Sequence, residues 1–429
     1  MKHKFSMVVL GLLLSVQSFA QEKLSLTLTE AQAYALEHNR TLKNASLAIQ
    51  EAEAARWQTL STMLPQVTAR ADYSNNLGYK LDLSGNKISM PPSGTFSVNA
   101  SIGASVVELI SIKLNDISAN MADITKKQTE QQTVDQVKNL YYSILVMQET
   151  VGLLEKNLEN LQLLLKHTEQ SVAVGVAEQI EADQISVQIV TMETNIRSSK
   201  RSLEMLYNSL RLQMGIQVST EISLSQTLTD LLDTDNALSL LTLDFILDKN
   251  YDYQLMQQNV AQMKTQVDMK KWAFAPSLSA YYQYSKIKFF SNEATFNMTP
   301  PNSIGATLNI PIFSSGNRAA ALKETKFRYE EQLNTLADTE ESLNIQHRQL
   351  CYNLSSAYES FEAQKKNVEV SQRVFDNITR KYQHGMASSI DVTDASTNVV
   401  TAQNSYVQSL LEVVSAQINL GQLLNSENK

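Results

Sequence analysis

Two hydrophobic patterns alternate along the chain, and they predict two kinds of element. Residues 112–214 and 317–420 contain no proline, which favours long helices because proline costs ~3 kcal/mol in a helix interior. A weak seven-residue apolar repeat runs from Leu354 to Phe375 in the second segment. The first segment carries a stronger one, in which steps of four and three residues alternate, at Leu140, Ile144, Met147, Val151, Leu154, Leu158, Leu161 and Leu165. This period is typical of a left-handed coiled coil.

Four shorter segments alternate between apolar and polar residues, and each predicts a strand. In the first of them, Val67, Ala69, Ala71 and Tyr73 alternate with polar residues. A strand of about ten residues with one apolar and one polar face is typical of outer-membrane proteins. The alternative is a pair of surface hairpins on a soluble helical protein. The predicted strands cover about residues 66–76, 97–107, 278–288 and 302–312.

The order of a strand pair followed by two long helices occurs twice, which predicts a duplicated chain. Residues recur at a nearly constant offset of 210 or 211, as in Leu36 and Leu247, Asn39 and Asn250, Pro65 and Pro276, and Gly175 and Gly385. We therefore expect a first repeat over residues 21–215 and a second repeat over residues 241–429. Residues 216–240, which are rich in Ser, Thr and Asp, form the predicted connection between them.

Within each repeat the two long helices are predicted to be antiparallel partners joined by a short turn. Gly175 and Gly385 lie where one helix must end and the next begin, so they are predicted to be turn residues. The helices are expected at about residues 112–174 and 177–214 in the first repeat, and at about 317–383 and 387–424 in the second.

Residues 1–20 show the pattern of a secretory signal peptide. Two lysines precede an apolar run from Phe5 to Val16, and small residues stand before Gln21. After Ala20 no stretch reaches the ~18 apolar residues of a membrane-spanning helix. If the mature chain lies in a membrane, it is expected to do so as a closed β-barrel. Four strands are too few, since small barrels need about eight, so several copies must share one barrel.

The composition excludes several classes of protein. A net charge of -8 argues against a nucleic-acid partner. One cysteine among 429 residues excludes a disulfide framework, and the five histidines lack the spacing of metal ligands. No phosphate-binding loop or catalytic motif is present. The sequence thus predicts neither an enzyme nor a cofactor nor a metal site.

Several motifs together resemble the TolC family of outer-membrane efflux proteins over essentially the whole mature chain. They are the opening from Leu28 to Asn39, Leu64-Pro65 before a strand, Asn309-Ile310-Pro311-Ile312-Phe313 after one, and the segment YQHGMASSIDVTDAS at 382–396 with a weaker copy at 172–186. Thr29 and Gln32 make a candidate capping box in the opening. The first repeat departs from the family at 107–113, where it lacks Pro-Ile-Phe.

The resemblance implies a mainly helical protein with a β-barrel part, in which three protomers build one 12-stranded outer-membrane barrel continuous with a periplasmic α-barrel. Such a homotrimer is the exit duct of a tripartite efflux pump, with a periplasmic adaptor protein and an inner-membrane transporter as partners and outer-membrane lipid around it. The alternatives are a type I protein-secretion channel, a structural coiled-coil envelope protein without a pore, and a periplasmic enzyme or binding module.

The resemblance also implies roles for residues near the helix turns. Asp391 and Asp394 match a periplasmic constriction; the alternative is that acidic residues simply favour the first turn of a helix. Tyr382 and Glu181 match a lock that holds the duct closed, although Ala387 stands where an arginine often joins that lock. The turns, and with them the expected adaptor contacts, are formed by Gly175, Val176, Gly385 and Met386.

Two tryptophans lie close before the predicted strands, and their position leaves two interpretations open. Trp57 precedes Pro65 and Trp272 precedes Pro276. They are either aromatic anchors at a membrane interface or residues packed in the helical core.

Overall fold

The computed structural model describes residues 24–228, 238–290 and 299–425. The predicted signal peptide at residues 1–20 and part of the predicted connection at 216–240 lie outside these ranges. The described residues form two compact units. A helical unit consists of Met1–Asn44, Lys127–Asn250 and Leu343–Lys429, and a sheet unit consists of Ala45–Lys126 and Tyr251–Ser342.

The described strands and α-helices occur in two similar runs. In the first run β1 (Leu24–Leu26), α1 (Leu28–His38), α2 (Arg40–Ser61), β2 (Gln66–Ser74), β3 (Lys80–Leu83), β4 (Asn86–Ser89), β5 (Ser93–Ala104), α3 (Val106–Ala173) and α4 (Gln179–Met214) follow one another. The second run consists of β6 (Ile222–Leu224), α5 (Tyr251–Trp272), β7 (Ser277–Phe289), β8 (Asn302–Asn309), α6 (Asn317–Gln383) and α7 (Ser389–Leu424).

The sheet unit is built on an antiparallel sheet with the strand order β2-β5-β7-β8. The register aligns the predicted alternation across all four strands and so creates two different faces. One row of the apolar face is Val67, Ala100, Tyr282 and Ile304. The neighbouring row, on the polar face, is Thr68, Asn99, Gln283 and Ser303.

The apolar face of this sheet is open in the single chain. Val67 is 68% exposed and Ile304 is 85% exposed, so burial within the protomer does not explain their hydrophobic character. Trp57 and Trp272, at the ends of the helices that lead into β2 and β7, are also exposed. Neither tryptophan therefore packs in the helical core of its own protomer.

Two predicted strand boundaries are wrong at the junctions with the long helices. β5 ends at Ala104 and α3 begins at Val106, whereas the strand was predicted to reach residue 107 and the helix to start at 112. Ser105 explains the earlier start, because its backbone N–H donates to Glu108 Oε2 (2.9 Å) and its Oγ accepts from the Glu108 N–H (3.3 Å). In the second run β8 stops at Asn309 rather than 312, two residues before Pro311, which has no N–H for a strand ladder.

The segment between the first two predicted strands, residues 77–96, contains two further short strands. β3 and β4 pair as a short antiparallel hairpin between β2 and β5. Its turn contains Ser84 and Gly85, both with positive φ.

The helical unit surrounds a core contributed by several helices. Its largest cluster contains Tyr141 and Ile144 of α3, Leu210 of α4 and Leu410 of α7. All eight residues of the apolar repeat from Leu140 to Leu165, which we call the seam of α3, are buried or half-buried. Tyr141 is fully buried, and its hydroxyl donates to the carbonyl of Leu26 (2.9 Å) in β1, which pairs in parallel with β6.

Residues related by the sequence offset make equivalent contacts in this unit. The side-chain amide of Asn39 donates to the carbonyl of Gln213 (2.7 Å), and that of Asn250 donates to the carbonyl of Leu423 (3.4 Å). Each asparagine thus joins the start of one helix to the end of the last helix of the same run. In the described ranges, no helix combines the length and the hydrophobicity needed to cross a membrane.

Candidate functional site

The two turns between the long helices have the same backbone geometry. Gly175 and Gly385 have φ values of +73° and +69°, the left-handed region that favours glycine at the end of a helix. The next residue closes the turn in each case, because Val176 N–H donates to the carbonyl of Ser171 (2.9 Å) and Met386 N–H donates to that of Lys381 (2.8 Å). The side chains of Val176 and Met386 are exposed.

The helices that follow the two turns begin differently. At the start of α7, Asp391 accepts hydrogen bonds from the Ser388 N–H (2.8 Å) and Oγ (2.7 Å), and its own N–H donates to the Ser388 Oγ (3.2 Å). This is a complete capping box. At the start of α4, Glu178 occupies the corresponding position, and its side chain makes no capping bond.

The capping box includes Asp391, one of the two residues predicted to form the constriction. Asp391 makes the contacts of a helix start, as the alternative interpretation expected. The hydrogen bonds, first from the backbone N–H of Ser388 and then from its hydroxyl, lower the pKa of the Asp391 carboxyl below its usual value. Asp394 lies one turn further along α7 and is also exposed, opposite the buried Val392 and Ala395.

The structure brings Tyr382 and Glu181 together, and it adds a third residue, Thr168. The hydroxyls of Tyr382 and Thr168 are 2.7 Å apart, whereas the Tyr382 hydroxyl is 3.4 Å from Glu181 Oε2. We call Thr168, Glu181 and Tyr382 the tip cluster. Burial raises the pKa of the Tyr382 hydroxyl above its usual value.

Thr168 has a second hydrogen-bond partner, which limits where the protons of the tip cluster can lie. This residue is completely buried, and its hydroxyl donates to the carbonyl of Leu164 (3.0 Å) on its own helix. Each hydroxyl has one proton to donate, so Tyr382 donates to Thr168 when Thr168 donates to Leu164, and Thr168 donates to Tyr382 when Tyr382 donates to Glu181. Both arrangements contain the short bond between Tyr382 and Thr168, and the contact between Tyr382 and Glu181 is the longer one.

Thr168 is not among the site residues that the sequence predicts, although the helical pattern contains a signal for it. Counting on from Leu165 by three residues, Thr168 is the next seam position of α3, where an apolar residue is expected. A hydroxyl at a buried seam position needs a partner other than water. The signal was therefore a polar residue at a position that the helical period assigns to the core.

A cavity of about 1200 Å³ adjoins the tip cluster, between the ends of α3 and α6 and beside both turns. Its lining includes Leu164, His167, Phe375 and the hydroxyl-bearing Thr379. Ala387, which stands where the resembled family often has an arginine, also lines it.

Arg380 lies beside this cavity, but it does not take the place of that arginine. Its guanidinium donates to the carbonyl of Asp376 (3.2 Å) and to the side chain of Asn377 (2.9 Å), both on its own helix.

The chain matches one protein family over most of its length. The sequence model described as "Outer membrane efflux protein" matches residues 33–216 and 242–426. The chain belongs to this family. It is an outer-membrane protein, and the TolC-family resemblance is confirmed.

Individual relatives are distant but cover most of the chain. "Probable efflux pump outer membrane protein TtgC" of Pseudomonas putida is 22% identical over 411 residues, which are 90% of this chain and 80% of the relative. "Outer membrane protein TolC" of Escherichia coli is 20% identical over 386 residues, 86% of this chain and 76% of the relative.

Solved structures share the fold at low sequence identity. The outer membrane protein VceC of Vibrio cholerae has a TM-score of 0.74 at 15% identity, with 92% of this chain and 95% of that chain covered. The CmeC outer membrane channel of Campylobacter jejuni has a TM-score of 0.76 at 15% identity, with 92% and 85% covered. The predicted channel fold, mainly helical with a strand part, is confirmed.

Proposed function

We propose that this protein is the outer-membrane exit duct of a tripartite efflux pump and that it works as a homotrimer. The observation that carries the proposal is the exposed apolar face of the four-stranded sheet, as at Val67 and Ile304. In a membrane this face would be covered by lipid. The polar face, with Thr68 and Asn99, would then line an aqueous lumen.

The strand order supports the number of copies. β2 and β8 are the two outer strands of the sheet, and unpaired strand edges are not tolerated in lipid. Pairing of β8 in one copy with β2 in the next satisfies both edges. Three copies give twelve strands, which is enough to close a barrel, whereas one copy is not.

The long helices supply the periplasmic part of the proposed duct. In this arrangement α3, α4, α6 and α7 of three copies form the α-barrel, and the turns at Gly175 and Gly385 face the inner membrane. Val176 and Met386, exposed at those turns, would contact the periplasmic adaptor protein, which joins the duct to an inner-membrane transporter. TtgC is described as an efflux pump protein, which favours efflux over type I protein secretion.

A gate at the periplasmic end belongs to the same proposal. Asp391 and Asp394 of three copies would place six carboxylates around a narrow opening, which would attract cations. The tip cluster of Thr168, Glu181 and Tyr382 would hold the two helix pairs of each protomer in the closed arrangement. The missing arginine is replaced by the short Tyr382–Thr168 hydrogen bond.

The division into repeats at 21–215 and 241–429 is likewise part of the proposal. The equivalent bonds of Asn39 and Asn250, and of the turns at Gly175 and Gly385, support it. The family match, which falls in two segments, is consistent with the same division.

The oligomeric state tests the arrangement directly. Detergent-extracted mature protein is expected to show, by size exclusion with light scattering, a protein mass three times that of one mature chain. Unfolding the sample and measuring the chain again provides the monomer reference. A folded protein that stays monomeric at all concentrations, without detergent, would contradict the duct and favour an envelope protein without a pore.

A further inference from the structure

Two lysines interrupt the apolar face of the sheet near one end. β7 begins after α5 with Leu278 on this face, and the alternation continues through Tyr282 and Tyr284. The next residues with the same orientation are Lys286, opposite Phe96, and Lys288, opposite Gly94. Both lysines are exposed. The apolar face therefore ends in two positive charges at the end of β7 away from α5.

If the apolar face contacts lipid, as the proposed function requires, the position of the lysines along the strand sets their depth in the membrane. Lys286 follows Leu278 by eight residues, which is about 26 Å of strand. A strand tilted by about 40° gains roughly 20 Å of height over that length, and the apolar band of outer-membrane barrels is about 25 Å tall. Lys286 therefore lies within about 5 Å of the outer edge of the band, and Lys288, two residues further along the strand, lies at that edge, at the level of lipid headgroups.

Aromatic side chains surround the lysines on the same face. The ring of Phe290 covers Gly94, where a Cβ would lie 3.2 Å from the ring. The ammonium of Lys288 is 5.9 Å from the centre of that ring, and the ring of Tyr73 is 6.0 Å from it. Aromatic residues at this depth are typical of the membrane interface.

The charge of the two lysines is not balanced on this face. The described residues of the apolar face include no aspartate or glutamate. Asp72, on the neighbouring strand β2, belongs to the polar face and pairs there with Arg70 (2.7 Å). Among the residues that the structure describes, neither Lys286 nor Lys288 has an ion-pair partner.

We propose that Lys286 and Lys288 bind the phosphate of an anionic lipid in the outer leaflet of the outer membrane. Their ammonium groups project from residues two apart in a strand, about 7 Å along it, so both reach the same headgroup. A phosphate monoester carries about -1.5 to -2 charges at pH 7, whereas a phosphodiester carries one. Two lysines therefore select the monoester, as found on a phosphorylated glycolipid, and Tyr73, Phe96 and Phe290 pack against the rest of that lipid.

Lipid titration of the purified trimer, followed by native mass spectrometry, tests this site. The probes are lipid A, lipid A from which phosphatase has removed the phosphates, and phosphatidylglycerol, a phosphodiester. The wild-type trimer is expected to bind lipid A most tightly. The double variant Lys286→Gln/Lys288→Gln should bind it about thirtyfold more weakly, since each lysine near an anionic surface contributes about fivefold.

Two further variants control for folding and for net charge. Lys264→Gln/Lys270→Gln removes the same charge from α5 and should bind lipid A like the wild type. Lys286→Arg/Lys288→Arg keeps the charge and should retain binding. The single variants Lys286→Gln and Lys288→Gln should each bind lipid A about fivefold more weakly, which tests the site even if the double glutamine variant does not assemble.

Three results would overturn the proposal. The first is that the wild type and the glutamine variant bind lipid A equally. The others are that the wild type binds phosphate-free lipid A, or phosphatidylglycerol, as tightly as it binds lipid A. Conductance recorded from the same wild-type sample separates the two proposals. A conducting trimer without preference for lipid A contradicts the lipid site alone, whereas a wild-type protein that neither assembles nor conducts contradicts the duct.

Discussion

At the scale of residues, the tip cluster depends on a short hydrogen bond between two hydroxyls. Tyr382 has two hydrogen-bond partners, Thr168 at 2.7 Å and Glu181 at 3.4 Å. The strength of a hydrogen bond falls with such lengthening, so the bond to Thr168 contributes most. The link between Tyr382 and Glu181 could be predicted from the resemblance, but the shorter bond could not, because it depends on how two helices pack around a buried threonine.

Replacing Thr168 by valine is expected to raise the leak of the closed duct. The change keeps the shape of the side chain and removes the hydroxyl that bonds Tyr382. Losing a typical hydrogen bond costs about 1 kcal/mol, which shifts the closed-to-open ratio about fivefold per protomer. Tyr382→Phe should have a similar effect, and the double variant should be no leakier than either single one. Basal current in planar bilayers measures this.

A second buried threonine of the same helix provides the control. Thr133 bonds only the carbonyl of Thr129 within α3 among the contacts described, so Thr133→Val should leave the leak unchanged. If Glu181→Gln raises the leak and Thr168→Val does not, Glu181 rather than Thr168 is the acceptor that holds the tip.

At the scale of elements, helix ends determine where the long helices start and stop. Gly215 ends α4 with a φ of +72°, and Asn425 ends α7 in the same left-handed region with a φ of 51°. Gly215 also lies against the backbone of His38, at the end of α1. This position therefore combines an unusual backbone conformation with a close approach of two chain segments.

Gly215→Ala is expected to destabilise the protein by more than about 1 kcal/mol, because the new Cβ would overlap the His38 carbonyl and a left-handed conformation penalises alanine. Gly152→Ala is the matched control. A Cβ at Gly152, inside α3, would meet nothing within 4 Å, and alanine favours a helix interior by about 0.5–1 kcal/mol. Thermal unfolding followed by circular dichroism should show opposite shifts, and equal shifts would contradict this account of Gly215.

Element types could be predicted from periodicity, whereas several boundaries could not. Proline-free runs and alternating segments marked the helices and strands because burial on one side imposes a period. The start of α3 depends on Ser105 and Glu108, a capping pair that the strand-like alternation up to Val106 concealed. In α1 the capping box is formed by Thr27 and Glu30 rather than by the predicted Thr29 and Gln32.

At the scale of the whole molecule, the sheet has more exposed apolar surface and more open strand edges than one chain can cover. The alternation in β2, β5, β7 and β8 was legible in the sequence, and it implied several copies before any family was considered. The capping role of Asp391 was expected only as an alternative, because a carboxylate in a first helical turn serves a helix start and a pore equally well. In the proposed trimer, which aspartate meets ions depends on three chains together.

Single-channel recording tests the central claim of a trimeric duct with an acidic gate. We expect the purified wild-type trimer in planar bilayers to give small cation-selective currents. Asp394→Asn, which removes a carboxylate outside the capping box, should reduce the cation selectivity while the trimer stays intact. Currents with unchanged selectivity would remove Asp394 from the gate, and an assembled, bilayer-inserted trimer that conducts no ions even as the Thr168→Val/Tyr382→Phe variant would contradict the duct itself.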